Sequence, residues 1–254
     1  MKSIQERLRA SGLHLLLSLL IAALAAAVVF GLWYPYPYRE ISGGRELFLL
    51  VMGVDVIVGP LITLVVYNRQ KSRRERRLDF SVIGLLQIAA LSYGLWTVAV
   101  ARPVHLVFEL NRFRVVHAIE VDDGLLAQTD PQWRRLPWTG PSLLSVRPFK
   151  SPQEEQDATL AALSGVSLSS RPDLWQAYLS AKDELQASAK PLSELTKRFP
   201  DQAPAIAELV SRLPTGTQAM GLVYIPLVGR KSFWTVVLDP TSWSVQGFLP
   251  IDSF

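Results

Sequence analysis

Hydrophobic and polar positions divide the chain near residue 100. Before that point lie three long apolar runs, at 12–33, 47–67 and 80–100. The first, GLHLLLSLLIAALAAAVVFGLW, contains no Asp, Glu, Lys or Arg. Each run meets the length of about 20 helical residues that crosses the roughly 30 Å hydrocarbon core. Backbone groups in lipid must be satisfied within the segment, so these runs predict three transmembrane helices. Beyond residue 101 the pattern shortens. Residues 104–110 and 112–121 alternate as two antiparallel strands with Asn111 at the centre of their turn. Phe113, Val115, His117, Ile119 and Val121 then share one face. The stretch 122–150 reads as irregular, with a short strand at 143–146. Ser151, Pro152 and Glu154 form an N-cap, a first-turn proline and a capping-box acid, starting a helix that runs to Leu163 and ends at Gly165. Ser170, Pro172 and Asp173 repeat that signal before Trp175, Tyr178 and Leu179 at helical spacing. Pro191 opens a further helix with Leu192, Leu195 and Phe199. Ile206, Leu209, Val210 and Leu213 make another helical stripe, ended by Pro214. Strands return at 219–227 and 232–238 around a turn at Gly229, Arg230 and Lys231, and a second turn at 239–242 leads into SWSVQGFLP. The predicted fold class is a membrane protein with three N-terminal transmembrane helices (1–100) and a C-terminal α+β extracytoplasmic domain (101–254) whose antiparallel sheet is covered by helices.

Charge sharpens this division. The 254 residues carry a formal net charge of +4, with 19% charged residues, against about 25% in an ordinary soluble domain. Residues 1–100 net +5 and residues 101–254 net −1. Most of the basic excess falls in one run: Arg69, Lys71, Arg73, Arg74, Arg76 and Arg77. Without interleaved aromatics or a folded basic face, this run reads as a topology signal, and no nucleic-acid partner is predicted. With Lys2, Arg7 and Arg9 it places the N-terminus and the 68–79 loop in the cytoplasm, so the third span delivers residues 101–254 to the outside, the periplasm of a bacterium. Trp33, Tyr34 and Tyr36 follow the first span and are candidate membrane-interface residues; Tyr38 and Trp96 are placed similarly. A signal peptide is the alternative for the first run. The run is longer than the usual 7–15-residue apolar region and large residues follow it, which favours an uncleaved span.

Candidate chemistry is sparse. The chain has no Cys, which excludes disulfides, thiolate catalysis and Cys-ligated metals. No P-loop, dinucleotide fingerprint, HExxH or GxSxG occurs. The pair His105 and His117, brought together across the first hairpin, lacks a third ligand and reads as structural. Asp122-Asp123 and Glu154-Glu155 suit a turn and a helix first turn. No enzyme activity, metal or cofactor is expected. Asp55 stands apart, because an ionisable group near mid-membrane normally faces protein or water. It reads either as a contact that recognises a client or as a polar packing group between spans. No second ionisable group is expected beside it, so no proton path is drawn. Gly53 and Pro60 flank it as points of close approach or bending.

The segment WYPYPYREISGGRELFLLVMGVDVIVGPLITLVVYN at 33–68 resembles the type IV pilin accessory family of the TfpX/TfpZ kind. The resemblance continues through 71–116 and in VYIPLVGRKSFWTVVLD at 223–239, and the middle of the outer domain matches poorly. Its marks are Trp33-Tyr34-Pro35-Tyr36-Pro37, Ser42-Gly43-Gly44, Gly53-Val54-Asp55 and Gly59-Pro60. The resemblance implies a multi-pass protein of the bacterial inner membrane that serves as a chaperone or assembly factor for a cognate type IV major pilin. It also implies contact with other inner-membrane pilus assembly components, and no catalytic residues. A pilin would present a single apolar N-terminal helix to the bilayer. An extracytoplasmic sensor or general membrane interaction module is the alternative, with little cytoplasmic chain to carry an output.

Overall fold

The computed structural model describes residues 2–67, 71–213 and 221–254. Within them the chain divides into two compact units, one ending at Ala101 and one made of Arg102–Phe254 together with Glu40–Ser42.

The first unit is helical. Helix α1 (Lys2–Val28) continues into a π-helical turn, Val29–Trp33, and a short α2 (Tyr38–Ile41) precedes α3 (Gly44–Val66) and α4 (Arg73–Val100). Three of these helices are long and apolar enough to cross a membrane. The polar flanks are helical too. At α4 the cause is a capping box, in which Ser72 Oγ accepts from Glu75 N–H at 3.2 Å and the Glu75 carboxylate accepts from Ser72 N–H at 2.7 Å. Arg73, Arg74, Arg76 and Arg77 therefore form the first turns of α4 rather than a loop. Arg69, of the same basic run, lies outside the described residues. Helix α3 packs against both α1 and α4. Its seam joins Ala25, Val29, Phe48, Met52 and Val98. Between apolar helices in lipid the hydrophobic effect gives no drive, so close fit must hold them. A Cβ on Gly94 would stand 2.2 Å from Val51 Cγ1, which measures how near α3 and α4 approach.

The second unit is a mixed α/β domain. In chain order it contains β1 (Pro103–Glu109), β2 (Arg112–His117), α5 (Asp123–Gln128), β3 (Ser142–Val146), α6 (Pro152–Leu163) and β4 (Trp175–Ala177). There follow α7 (Lys182–Ser188), β5 (Lys190–Pro191), α8 (Leu192–Arg198), α9 (Ala203–Ser211), β6 (Val223–Val228), β7 (Phe233–Leu238) and β8 (Val245–Leu249). One open sheet runs β4-β3-β1-β2-β6-β7-β8, with β5 also on β6. Most pairings are antiparallel, as the hairpin and meander predict. Two are parallel, β1 with β3 and β2 with β6, because in each case the chain returns by a crossover instead of a tight turn. Helices α8 and α9 bury Leu192, Leu195 and Ile206 against Tyr224, Val237 and Leu249, and Val104, Val107, Val116, Leu144 and Trp175 form a second apolar cluster.

Several local expectations change. The stretch 122–150, which reads as irregular, contains helix α5, because the Asp122 side chain accepts from Leu125 N–H at 2.8 Å and caps it. Residues 172–181 are not a helix: Trp175 pairs with Val146 in a strand and its indole N–H donates to Ser169 O at 2.8 Å, between two 3-10 turns. The second strand stops at His117, because Glu120 folds back to accept from His117 N–H at 3.1 Å. Ile119 is left exposed on a 3-10 turn. The last hairpin strand starts at Val223; residues 219–220, and Pro214 as a helix stop, lie outside the described residues. The α6 N-cap forms as predicted at Ser151. Glu154, however, turns away from Ser151 N–H toward Arg147, 2.6 Å, and Lys150 N–H, 2.5 Å.

Candidate intramembrane site

Polar residues on the three long helices meet in the first unit. On α1, Ser11, His14 and Ser18 recur at i, i+3 and i+7 and so share a face. On α3 the matching stripe holds Asp55, Gly59 and Thr63, four residues apart, and α4 contributes Gln87. His14 is the hub. Its Nδ1 lies 2.6 Å from Thr63 Oγ1 and its Nε2 lies 2.7 Å from Gln87 Oε1. A neutral ring satisfies both contacts, with Nε2–H donating to Gln87 and Nδ1 accepting from the Thr63 hydroxyl. Ser11 Oγ donates to Pro60 O at 2.9 Å. Three side-chain hydrogen bonds therefore tie α1 to both α3 and α4.

Gly59 is what lets Gln87 in. A Cβ at residue 59 would stand 1.9 Å from Gln87 Nε2 and 3.2 Å from His14 Nε2. Gly53 has no such role, since nothing lies within 4 Å of where its Cβ would stand. Pro60 is buried mid-helix, and its carbonyl is the Ser11 acceptor.

Asp55 is half-buried and opens onto a groove of about 160 Å³ between α3 and α4. Its walls include Val54, Val58, Ile62, Ile83 and Leu86, and its polar groups are Asp55 and Gln87. Gln87 is also the side-chain hydrogen-bonding neighbour of Asp55, and His14 interacts with it electrostatically. This corrects the expectation that no second ionisable group stands beside Asp55. The first apolar run contains one as its third residue, His14, and the Ser11-His14-Ser18 spacing was the signal for its direction. A second groove, of about 330 Å³, passes the other side of the His14–Gln87 bridge between Leu13, Leu17, Phe80 and Ile83.

The three candidate interface aromatics have different surroundings. Tyr34 is buried in the helical seam and donates its hydroxyl to Val98 O at 3.1 Å. Trp33 is half-buried against the same seam. Tyr36 is exposed, with the Arg39 guanidinium 5.5 Å from its ring centre. In the second unit His105 and His117 go to separate partners. His105 Nδ1 lies 2.7 Å from Ser142 Oγ, and His117 Nδ1 lies 3.1 Å from Glu120 Oε1. Among the described residues no group of three or more His, Asp or Glu side chains is placed to hold a metal ion.

The family model of the fimbrial assembly protein FimB matches residues 2–43. Over 246 residues, 96% of this chain and 95% of the relative, the sequence is 36% identical to the fimbrial assembly protein of serogroup I from Dichelobacter nodosus. The serogroup E1 protein of the same organism is 35% identical with the same coverage. The protein of serogroups C1 and C2 is 47% identical over 106 residues, 42% of this chain and 81% of that one. No solved structure shows significant similarity to the chain.

Proposed function

Because the chain belongs to the fimbrial assembly protein family, we propose that it is a pilin accessory protein of the TfpX/TfpZ kind that binds the cognate type IV major pilin in the inner membrane. The N-terminus is cytoplasmic and the α/β unit periplasmic in this reading, supported by the basic residues before α4. The observation that carries the pilin reading is Asp55 at an apolar groove between membrane-length helices. A carboxylate in that setting favours an arriving helix that brings a hydrogen-bond donor, and the apolar walls suit the rest of such a helix. The single apolar helix that the resemblance implies for a pilin suits those walls. The protein then acts by holding the subunit before or during polymerisation.

The test is a photo-crosslinker at Val58, which lines the groove, used in native membranes with and without the cognate pilin. It is paired with pilin co-purification for Asp55→Asn and Asp55→Leu. A pilin adduct is expected, with pilin recovery falling more for Leu than for Asn at unchanged protein abundance. Normal recovery in both variants would sink the reading. A parallel fall in abundance and recovery for Asp55→Leu would assign Asp55 to packing instead.

A further inference from the structure

We infer that a cavity in the second unit binds the carboxylate of an extended, acidic polypeptide segment. The site arises from the sheet topology. Strand β6 carries β5 at its start and β2 at its end, along the same edge. The parallel pairing of β2 with β6 covers only Phe113–Leu227 and Arg114–Val228. Strand β2 then runs on to His117 while the other chain turns away at Gly229. The space left beyond the end of β6 is a cavity of about 320 Å³, bounded on its far side by the segment that follows α6.

The hydrogen-bonding groups around it are unequally used. Its one lining carboxylate, Glu120, accepts from His117 through both the backbone N–H and Nδ1, each at 3.1 Å, and also interacts electrostatically with Arg230 without a hydrogen bond to it among the described residues. The hydroxyls of Ser167 and Ser170 bond each other, and Ser170 Oγ also donates to Ser167 O at 2.8 Å. Glu109 accepts from Arg114 Nε at 2.9 Å and from Ser169 N–H at 2.9 Å. This fixes the Arg114 guanidinium and leaves its two Nη nitrogens. Arg230 brings a second guanidinium from the turn after β6. His117, 1% exposed, spends Nδ1 on that carboxylate, and its buried Nε2 is not counted among the cavity's donors. The unspent capacity is thus mostly donor capacity, which calls for an acceptor-rich, anionic group.

Size and lining select the source of that anion. At about 30 Å³ per water the cavity has room for roughly ten waters, and its volume falls within the range of organic-ligand sites. Val115, Val166 and Val228 supply apolar wall between the cationic groups. A free inorganic anion would meet the two arginines and leave that wall unused. A short extended peptide places a side-chain carboxylate on the arginines and its aliphatic neighbours on the valines.

The test uses the full chain in phosphatidylcholine nanodiscs and ligand-observed saturation-transfer NMR titrations. The probes are N-acetyl-Val-Glu-Val-amide, its Gln counterpart and inorganic phosphate. The Glu peptide should bind saturably, with the Gln peptide weaker by about tenfold or more, as loss of a charge-assisted pair implies. Arg230→Gln, at an exposed turn position, should weaken the Glu peptide by about tenfold and leave the Gln peptide unchanged. Val166→Asp, which sets a carboxylate at the wall, should do the same. Equal binding of the two peptides, no saturable binding by either, or indifference to both substitutions overturns the inference. Phosphate binding as tight as the Glu peptide also overturns it, by making the site one for simple anions. All probes are added without pilin, so this outcome and the fate of the Asp55 groove are read separately.

Discussion

Gly59→Ala tests whether the intramembrane bridge is built as described. The added Cβ would stand 1.9 Å from Gln87 Nε2, against 3.4–4 Å for ordinary contact. The Gln87 tip must therefore withdraw by about 1.5 Å, and the 2.7 Å contact with His14 is lost. Polar contacts between membrane helices average about 0.6 kcal/mol and reach about 1.7. Replacing Gly by Ala inside a helix works the other way, by up to about 1 kcal/mol. The single substitution is therefore expected near neutral, and the information lies in a double-mutant cycle with Gln87→Ala. With residue 87 truncated, the clash and the bond are both absent and only the helix-propensity gain remains. The coupling between the two sites should therefore be about 0.6–1.7 kcal/mol. Gly53→Ala is the control, since its Cβ would meet nothing within 4 Å, and its cycle with Gln87→Ala should be additive. Reversible unfolding in mixed detergent micelles, read by tryptophan fluorescence, supplies the four free energies of each cycle. Additivity of Gly59 with Gln87 within about 0.3–0.5 kcal/mol, or equal coupling at Gly53, would refute the bridge.

Two further outcomes follow from the rest of the chain. Burial lowers the pKa of His105 from 6.5 to about 4. The unfolded chain therefore takes up the proton first, and stability is full above pH 6.5 and declines as pH falls toward 4. The loss over that window amounts to about 3 kcal/mol at the 1.36 kcal/mol per pKa unit of linkage. His105→Phe should flatten this limb of the pH–stability curve, and an unchanged limb would refute the assignment. For orientation, reporter fusions after residue 75 should read as cytoplasmic and fusions after residue 254 as periplasmic; a cytoplasmic C-terminus would invert the proposed topology.

What the sequence carried was periodicity, and where periodicity sufficed the elements were legible. The three long helices follow from run length, and Ser151 with Pro152 marks the start of α6 to the residue. The turn at Leu110 and Asn111 lies between Glu109 and Arg112, which pair across the hairpin. What periodicity cannot encode is partner choice. Trp175, Tyr178 and Leu179 have helical spacing, yet Trp175 goes to a strand because Val146 and Ser169 O are there to receive it. The parallel pairing of β2 with β6 joins residues more than 110 positions apart, and no local pattern announces it. The cavity beyond that pairing was invisible for the same reason. Its Arg114, His117 and Glu120 are local, but Arg230 comes from a turn more than 110 positions beyond Arg114.

The same limit applied to Asp55, whose two readings can be set beside the hydrogen bonds of the helical unit. From sequence alone, a lone carboxylate among apolar residues reads either as a packing group or as a recognition contact. Three hydrogen bonds tie α1 to the other two long helices: Ser11 to Pro60, His14 to Thr63 and His14 to Gln87. None of them uses Asp55. Removing its carboxylate would leave each tie in place, whereas removing His14 would break two. The ties of α1 thus have other carriers, while Asp55 keeps Gln87 as its neighbour across α3 and α4 at the edge of an apolar groove. An ionisable group retained at such depth is costly unless something repays its desolvation. Gln87 does so in part, and in the proposed reading a donor on an incoming helix would complete the arrangement. On that argument His14→Leu, which breaks two bonds, should loosen the helical unit more than Asp55→Leu, and in the proposed reading Asp55→Leu should cost more pilin recovery, so an equal loss of stability and recovery in both variants would refute the separation.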